Sequence, residues 1–258
     1  MEIEDRKVDV LYVVGKGSLF NNEELRFSLR MLSSNCKNVG RVIVSGYVPD
    51  FVGGEAIVVP HDDIHLGMKQ VNILDNILFS IKAVGLRRRF LLSSDDHFIH
   101  RRCDLAAWPR YTRGKIYNSA EYIAAHGKPP GKYQQSVIAT REILEKFGYP
   151  IEYTCWHGDT WLNPKYAEEV SYISRQKVRF VPLGYEPTLL FTNIEDSHES
   201  NPVPYERLTS DVKCGTYDDA LNFAATRGCF STSNDAWRGL RLLKWFRKTY
   251  PNKCEWER

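Results

Sequence analysis

The stretch VDVLYVVG, at residues 8–15, is rich in β-branched residues and ends in glycine. Such a run is typical of a strand that is buried on both faces of a parallel sheet. The same pattern predicts further elements in the first hundred residues: strands at 39–49, 54–63 and 88–96, and helices at 23–36 and 70–85. Strands that alternate with helices predict an α/β fold with a central, mostly parallel sheet flanked by helices.

The second half of the chain is less regular. Apolar residues at helical spacing predict helices over 132–148 and 163–176, the second with Asn163 as its cap. A basic amphipathic helix is predicted over 234–253. The polar, proline-bearing segment 195–206 is predicted to be a mobile loop or linker.

The composition is that of an ordinary globular protein, since 43% of the 258 residues are hydrophobic, 26% are charged and the net charge is +3. Lysine and arginine are clustered, which leaves open a surface that tracks phosphates or merely a solvated face. Six scattered cysteines without a CxxC pair favour free thiols in a reducing compartment and offer no zinc site. Because the sequence shows neither a signal peptide nor a membrane-spanning run, we expect a soluble, cytoplasmic protein without a membrane partner.

Polar residues follow three of the predicted strands, at the carboxyl ends where ligands bind in α/β sheets. They are Gly15-Lys16-Gly17, His61-Asp62-Asp63 and Asp95-Asp96-His97. The chain has no GxGxxG fingerprint and no P-loop. A Gly-Lys-Gly turn still allows the backbone to approach a nucleotide closely, with Lys16 as a point charge for phosphate.

The third of these groups lies in FLLSSDDHFI, at residues 90–99. Two adjacent carboxylates repel each other, and a divalent cation would relieve that repulsion. Oxygen ligands suit Mg²⁺ or Mn²⁺, and Mn²⁺ also accepts an imidazole. The group therefore predicts a site for a metal and a diphosphate, and solvated acids in a turn are the alternative interpretation.

Four segments of the first half together resemble the core of the Stealth sugar-phosphate transferases: NNEELRFSLRML (21–32), VGRVIVSGYVPDFV (39–52), VVPHDDI (58–64) and FLLSSDDHFI (90–99). Nearly the whole chain is also similar to small glycosyltransferase-like proteins encoded by phages. That similarity extends to YTCWHGDTWLN (153–163), FSTSNDAW (230–237) and YPNKCEWE (250–257). Both resemblances imply the nucleotide-sugar-binding fold called GT-A.

In that fold, strand-end carboxylates of a DxD motif hold Mn²⁺ or Mg²⁺ against the diphosphate of the donor. The resemblance implies a metal site at Asp95, Asp96 and His97, with Asp96 essential for catalysis. The sequence SDDH is not a strict DxD, which leaves open which of the three binds the metal, as well as a metal-independent variant. The remaining donor-binding residues implied are Gly15, Lys16, Gly17, Asn22 and Arg26, with Asp62 or Asp63 near the nucleoside.

A second group of chemically active residues is CWHGDTW, at 155–161. Trp156 and Trp161 offer flat faces for a sugar or a base, and Asp159 could deprotonate an acceptor hydroxyl if the reaction inverts the sugar. The resemblance implies that His157 completes the metal shell. A buried aromatic loop with a hydrogen-bonded histidine is the alternative.

These features predict an enzyme, a glycosyltransferase that moves a sugar, most simply glucose from UDP-glucose, to a hydroxyl. The phage-like resemblance and the basic clusters favour a hydroxymethylated base of double-stranded DNA as acceptor, flipped out and stacked on aromatic side chains. We expect one domain over 1–258, with a donor-binding half at 1–115 and an acceptor-binding half at 116–258. Expected phosphate contacts include Arg110, Arg113, Arg241 and Lys244.

Two alternative functions retain part of this prediction. The Stealth resemblance implies transfer of a hexose 1-phosphate to a surface glycan, a reaction that releases a nucleoside monophosphate instead of a diphosphate. The imperfect DxD is also compatible with a non-catalytic module that binds carbohydrate or nucleic acid.

Overall fold

The structure is a computed structural model and describes residues 7–152, 158–177, 183–200, 205–207 and 213–258. Its strands are β1 (Val8–Val14), β2 (Cys36–Lys37), β3 (Val39–Gly46), β4 (Ile57–Pro60), β5 (Phe90–Ser93), β6 (His97–Ile99), β7 (Cys103–Asp104), β8 (Arg110–Thr112), β9 (Thr160–Leu162), β10 (Tyr205–Arg207), β11 (Lys213–Cys214) and β12 (Cys229–Thr232). Its helices are α1 (Glu23–Asn35), α2 (Lys69–Val84), α3 (Ser119–His126), α4 (Lys132–Phe147), α5 (Ala167–Ser174), α6 (Pro187–His198), α7 (Tyr217–Thr226), α8 (Asn234–Trp237) and α9 (Arg241–Thr249).

The central sheet has the strand order β4-β3-β1-β5-β9. Strands β4, β3, β1 and β5 run parallel, and β9 is antiparallel to β5. This confirms the predicted α/β fold with a mostly parallel sheet. From β1 the chain moves outward to β3 and β4 and then returns to the other side of β1 to form β5. The strand order therefore reverses between β1 and β5, and ligands of such sheets bind outside the carboxyl ends of the strands at that reversal.

Both faces of the sheet are covered, which explains why β1 is apolar on both of its sides. Leu11 belongs to a core shared with α2, α4, α5 and α6, whereas Tyr12 belongs to a core shared with α1. A third core joins α1 to α9 through the stacked rings of Phe27 and Phe246, whose centroids lie 4.9 Å apart. Each buried side chain of this size stabilises the fold by about 1.5–3 kcal/mol relative to an exposed one.

Gly46 sets how closely two strands approach at the carboxyl edge of the sheet. Its φ is +96°, and a Cβ placed on it would lie 2.3 Å from the carbonyl oxygen of Val14. No residue with a side chain fits there without a shift of the backbone. The next residue, Tyr47, donates its N–H to the same carbonyl over 2.8 Å. The ends of β1 and β3 are therefore held together beside the loop that follows β1.

Two predicted elements of the second half were wrong in their bounds. The helix expected over 234–253 is divided into α8, a 3-10 turn over Arg238–Leu240, and α9. Gly239 and Leu240 adopt left-handed backbone angles with φ of 77° and 60°, which end one helix and turn the chain before the next. The loop expected to begin at residue 195 begins later, because α6 continues to His198.

The longest of the described helices are α2 and α4, each of 16 residues. Within the described part of the chain, no helix has both the length and the apolar character needed to cross a bilayer. Helix α3 has no buried side chain and begins at a capping box, in which Asn118 and Glu121 each accept a backbone N–H of the other. It is therefore a surface helix, fixed largely by its polar contacts.

Candidate functional site

A cleft of about 860 Å³ opens at the carboxyl ends of β1 and β5, where the strand order of the central sheet reverses. Its walls include the loops after β1 and β5, the start of α1, the segment before α2 with the first half of that helix, β11, and the segment from β12 to the 3-10 turn. The polar residues that line it include Lys16, Ser18, Glu24, Asp63, Lys69, Asn72, Asn76, Ser94, Asp95, Asp96, Lys213, Ser233, Asn234, Asp235 and Arg238. Its size is that of pockets which hold small-molecule ligands.

The Gly-Lys-Gly turn lies in this cleft, as the sequence predicts. A Cβ placed on Gly15 or on Gly17 meets no atom within 4 Å, and neither glycine has a positive φ. The folded chain therefore does not need glycine at either position, and the space beside the backbone is open to a ligand. Lys16 carries its ammonium group 5.6 Å from the centre of the Tyr47 ring.

The turn from the glycines into α1 delivers a buried carboxylate to the cleft. Ser18 accepts hydrogen bonds from the N–H groups of Phe20 and Asn22 and donates its own hydroxyl to Glu24 over 3.0 Å. Asn22 has a left-handed φ of 56° and precedes the first residue of α1. Glu24 is only 6% exposed. Burial raises the pKa of its carboxyl group, and the charge of Asp96 raises that pKa further.

Asp95 and Asp96 line the cleft together and are partly buried. Loss of solvation is the first cause that raises the pKa of Asp95, followed by the charges of Asp96 and Glu24. Lys69 acts in the opposite direction, and the resulting pKa of Asp95 is about 7. Three carboxylates thus repel one another in one place, and a bound cation would offset that repulsion.

Basic side chains lie in the same cleft. Lys213 carries its Nζ 3.8 Å from Oδ2 of Asp96, and Arg238 forms a 3.0 Å ion pair with Asp235. Lys16 and Lys69 line the cleft as well. A cleft with acidic and basic groups side by side is suited to a ligand that brings both an anion and a cation, such as a diphosphate with its metal ion.

The acidic residues fit a metal ion that is shared with a ligand. Within the described ranges, no group of three or more His, Cys, Asp or Glu side chains is arranged to hold a metal by itself. Mg²⁺ is usually bound by one or two carboxylates together with waters and the phosphates of a substrate, and does not need a complete protein cage. Asp95 and Asp96 fit that pattern, since both line the cleft and the charge on Asp95 is poorly compensated.

His97 lies elsewhere, although it follows Asp96 directly. Its ring is 1% exposed, and Nδ1 lies 2.8 Å from Oδ2 of Asp159, which is itself 4% exposed. Burial alone would lower the pKa of His97, but the Asp159 carboxylate raises it to about 10. Neither residue lines the cleft. The structure therefore corrects both expectations: it pairs the expected metal ligand with the expected general base in the interior, and brings neither to Asp95.

Two of the side chains expected to bind the acceptor form contacts within the protein. Trp161 is partly buried, and its indole N–H donates to the carbonyl oxygen of Trp108 over 2.8 Å. Arg110 is 7% exposed and forms ion pairs with Glu195 over 3.1 Å and Asp196 over 3.5 Å. Arg110 is therefore not available to an acceptor, and the polar edge of the Trp161 ring is already bonded within the protein. The other expected residues of this loop, Trp156 and His157, lie outside the described residues.

Three of the expected donor-binding residues lie outside the cleft: Asn22, Arg26 and Asp62. Arg26 forms ion pairs with Glu23 and Glu257 and lies over the Phe51 ring, 3.9 Å from its centre. Asn22 does not line the cleft either, and its role is in the turn before α1.

The expected acidic pair after β4 is divided between two clefts. Asp63 lines the main cleft, whereas Asp62 lines a neighbouring cleft of about 590 Å³ beside Tyr47 and His61. Either carboxylate is thus placed near the carboxyl edge of the sheet, but only Asp63 shares a wall with Asp95.

The remaining expected phosphate contacts lie apart from one another. Arg113 lines a small cavity of about 160 Å³ with Tyr117 and Tyr122. Arg241 and Lys244 are exposed on α9, where Arg241 lies 3.5 Å from Asp218. The structure therefore brings only the α9 residues together.

Several cleft residues have no assigned role in the sequence analysis, and among the charged ones are Glu24, Lys69, Lys213 and Arg238. Glu24 lies within NNEELRFSLRML, the segment that carries the Stealth resemblance, so that motif was a signal for it. For Lys69, Lys213 and Arg238, no nearby motif in the sequence indicates a position in the cleft. Lys213 and Arg238 come from the half expected to bind only the acceptor, because β11 and β12 return the chain to the loop after β5.

Comparisons with protein-family models and with curated proteins identify no relative of the chain. No protein-family model matches the chain, and no curated protein matches it significantly.

Proposed function

We propose that the protein is a glycosyltransferase that binds a nucleotide diphosphate-sugar and a divalent cation in the cleft between β1 and β5. One observation carries the proposal: an open glycine turn and a pair of carboxylates line one cleft at the reversal point of a parallel sheet. Parallel sheets that bind nucleotides place them at this point. The GT-A fold, which the sequence resemblance implies, is supported by this arrangement.

Each part of the cleft has a task in this proposal. The open backbone at Gly15 and Gly17 accommodates the diphosphate, and Lys16 contributes a positive charge to it. Asp95 and Asp96 would hold Mn²⁺ or Mg²⁺, which when bound neutralises the charge that develops on the departing diphosphate. Lys213 stays close enough to Asp96 to orient that carboxylate.

The acceptor we propose is double-stranded DNA with a hydroxymethylated base. The support is the position of α9, which follows directly on the cleft residue Arg238 and exposes a row of cations, Arg241, Lys244, Arg247 and Lys248. A row of this kind is suited to contacts with successive phosphates. Since Arg110 is buried and ion-paired, the proposed phosphate contacts are limited to this helix and its surroundings.

The donor is tested first, by titrating the protein with UDP-glucose in a calorimeter with Mn²⁺ and with EDTA. We expect binding that requires the cation and that disappears in Asp96→Asn. Glu168→Gln, which changes an exposed carboxylate in the first turn of α5, is the matched control and should bind normally.

The reaction is tested by the nucleotide that it releases. Glycosyl transfer to a hydroxymethylated duplex releases UDP and adds a hexose to the digested nucleoside. Release of UMP would favour hexose 1-phosphate transfer instead, and tight binding without release of any nucleotide would favour a non-catalytic module. No binding of any nucleotide sugar, with or without metal, would overturn the proposal.

A further inference from the structure

Cys36 and Cys103 face each other in the short parallel pair formed by β2 and β7. They are register partners, and their Sγ atoms lie 3.4 Å apart. Cys36 is the residue that ends α1, and Cys103 follows the strand that leaves the Asp95-Asp96 loop. The pair therefore joins two elements that are 67 residues apart in sequence.

The spacing of paired strands is compatible with a disulfide between register partners. Adjacent strands lie about 4.8 Å apart, which falls within the range of about 4.4–6.8 Å between Cα atoms of bridged cysteines. A bond of about 2.05 Å can form from the present contact through side-chain rotation, without separating the strands. The described thiols Cys214 and Cys229 are buried in the cores, whereas Cys36 and Cys103 are both partly exposed.

The two thiols also differ in acidity. The hydrogen bond between them, reinforced by burial, raises the pKa of Cys36. The same hydrogen bond, aided by the charge of Arg101, lowers the pKa of Cys103. The thiolate is the nucleophile in thiol chemistry, and the charge of Arg101 favours Cys103 as the sulfur that reacts first.

We propose that Cys36 and Cys103 form a reversible dithiol–disulfide site that is oxidised by low-molecular-weight disulfides. The Cys103 thiolate attacks one sulfur of oxidised glutathione, forms a mixed disulfide and releases one glutathione thiolate. Cys36 then loses its proton, attacks the Cys103 sulfur and releases the second glutathione. Two protein thiols are oxidised to one disulfide, and one glutathione disulfide is reduced to two thiols.

The bond would close a loop that contains β3, β4, α2 and β5, and with them the cleft residues Asp63, Asp95 and Asp96. Closing a loop of this length restricts the unfolded chain and so stabilises the folded state. Neither cysteine lines the cleft, so ligand binding should not depend on the redox state of the pair. The site is thus a stabilising modification that leaves the chemistry of the cleft alone.

The test is incubation of the native full chain with oxidised and reduced glutathione at several ratios, followed by alkylation and non-reducing peptide mapping. We expect one cross-link, between Cys36 and Cys103, which disappears on reduction. The melting temperature of the oxidised protein should rise by roughly 5–10 °C. Cys103→Ser should form no cross-link, whereas Cys254→Ser, a change at another partly buried thiol, should form it normally.

The peptide map of the wild-type protein decides whether the cross-link forms, so poor folding of a variant does not affect that result. Only mixed glutathione adducts, or a cross-link between other cysteines, would overturn the proposal. A cross-link that forms at Cys36 and Cys103 but leaves the melting temperature unchanged would overturn its stabilising role.

Discussion

The ring of His97 and the carboxylate of Asp159 form an ion pair of 2.8 Å in the interior, with both side chains almost completely buried. A buried pair of this kind is costly to break, because the charge that remains has lost both its solvent and its partner. The pair joins β6 to the residue before β9, and so connects the small three-stranded sheet to the central one. Its role is therefore in holding the two sheets together.

Asp159→Asn should lower the free energy of unfolding by about 3–5 kcal/mol, because it removes one member of this buried pair. Urea denaturation followed by tryptophan fluorescence measures the change. Nucleotide binding by the folded variant should be unchanged, since the cleft does not include Asp159. Full stability together with lost transfer activity would instead assign Asp159 to the chemistry.

The same pair predicts a dependence of stability on pH. The pKa of His97 is about 10 in the folded protein and 6.5 in its ordinary state. Protonation of His97 therefore stabilises the fold fully below about pH 6.5, and this contribution is lost as the pH rises toward 10. Unfolding free energies measured from pH 6 to pH 10 should decrease less in His97→Gln than in wild type. Parallel curves for the two proteins would contradict the pair's charged state.

Asp95→Asn should stabilise the protein and inactivate it. Because the pKa of Asp95 is raised to about 7 in the folded state, its ionisation costs stability as the pH rises from about 4 through 7. The amide carries no charge, so the variant should gain roughly 1–3 kcal/mol at pH 8 without metal, and its stability should vary less over that range. Chemical denaturation at pH 5 and pH 8 tests this, and a destabilised variant would argue against the crowding of charges in the cleft.

If Asp96 holds the proposed metal ion, Asp96→Asn should reduce the proposed sugar transfer more than a hundredfold, because loss of a metal ligand removes several kcal/mol of transition-state stabilisation. Initial rates of UDP release at saturating Mn²⁺ measure the effect. Glu168→Gln should keep the wild-type rate, as should the wild-type protein with excess EDTA followed by fresh Mn²⁺. Equal rates in both variants would return Asp96 to the role of a solvated acid in a turn.

Gly15→Ala should fold normally and lose nucleotide binding. No atom lies within 4 Å of the position of the new methyl group, and the backbone does not require glycine, so only a ligand can meet it. Gly131→Ala, at the open start of α4, is the matched control. Melting temperatures and calorimetric titrations with UDP-glucose separate the two effects. Unchanged affinity in Gly15→Ala would place the diphosphate elsewhere in the cleft.

Binding of DNA should depend steeply on salt if α9 contacts its phosphates. Each phosphate contact contributes a log–log slope of roughly −0.9. The double change Arg241→Glu with Lys244→Glu should weaken binding to every duplex and reduce the magnitude of that slope by about 2. Lys82→Glu with Arg87→Glu, at exposed positions at the other end of the sheet, is the control. A salt-independent response in wild type would exclude duplex DNA as the acceptor.

The parts of the fold that the sequence predicts correctly are those with a local signal. Strands β1, β3 and β5 are apolar runs that end in glycine or serine, and their parallel order follows from the helices between them. Gly15 and Asp95 lie together for the same reason, because the carboxyl ends of neighbouring parallel strands meet at one edge. The hydrophobic pattern of the strands was therefore sufficient to predict the part of the cleft that contains Gly15 and Asp95.

The predictions that were wrong concern residues whose contacts join distant segments of the chain. His97 follows two carboxylates and resembles a metal ligand, but its partner is Asp159, 62 positions later, and nothing near either residue indicates the pairing. In the sequence Arg110 resembles a surface cation, but in the fold it forms an ion pair with Glu195 of α6. The break before α9 is caused partly by Leu240, whose left-handed backbone has no counterpart in the usual preferences of leucine.

The contact between Arg26 and Glu257 joins residues 231 positions apart, and Glu257 also accepts hydrogen bonds from Arg30. Helix α1, which carries Glu24 into the cleft, is therefore fastened by a carboxylate that the ribosome adds much later. At about 5–20 residues per second, the interval is roughly 10–50 seconds. Until Glu257 has been made, α1 lacks this contact. The wall of the cleft that carries Glu24 is therefore fastened only after every strand of the central sheet has been synthesised.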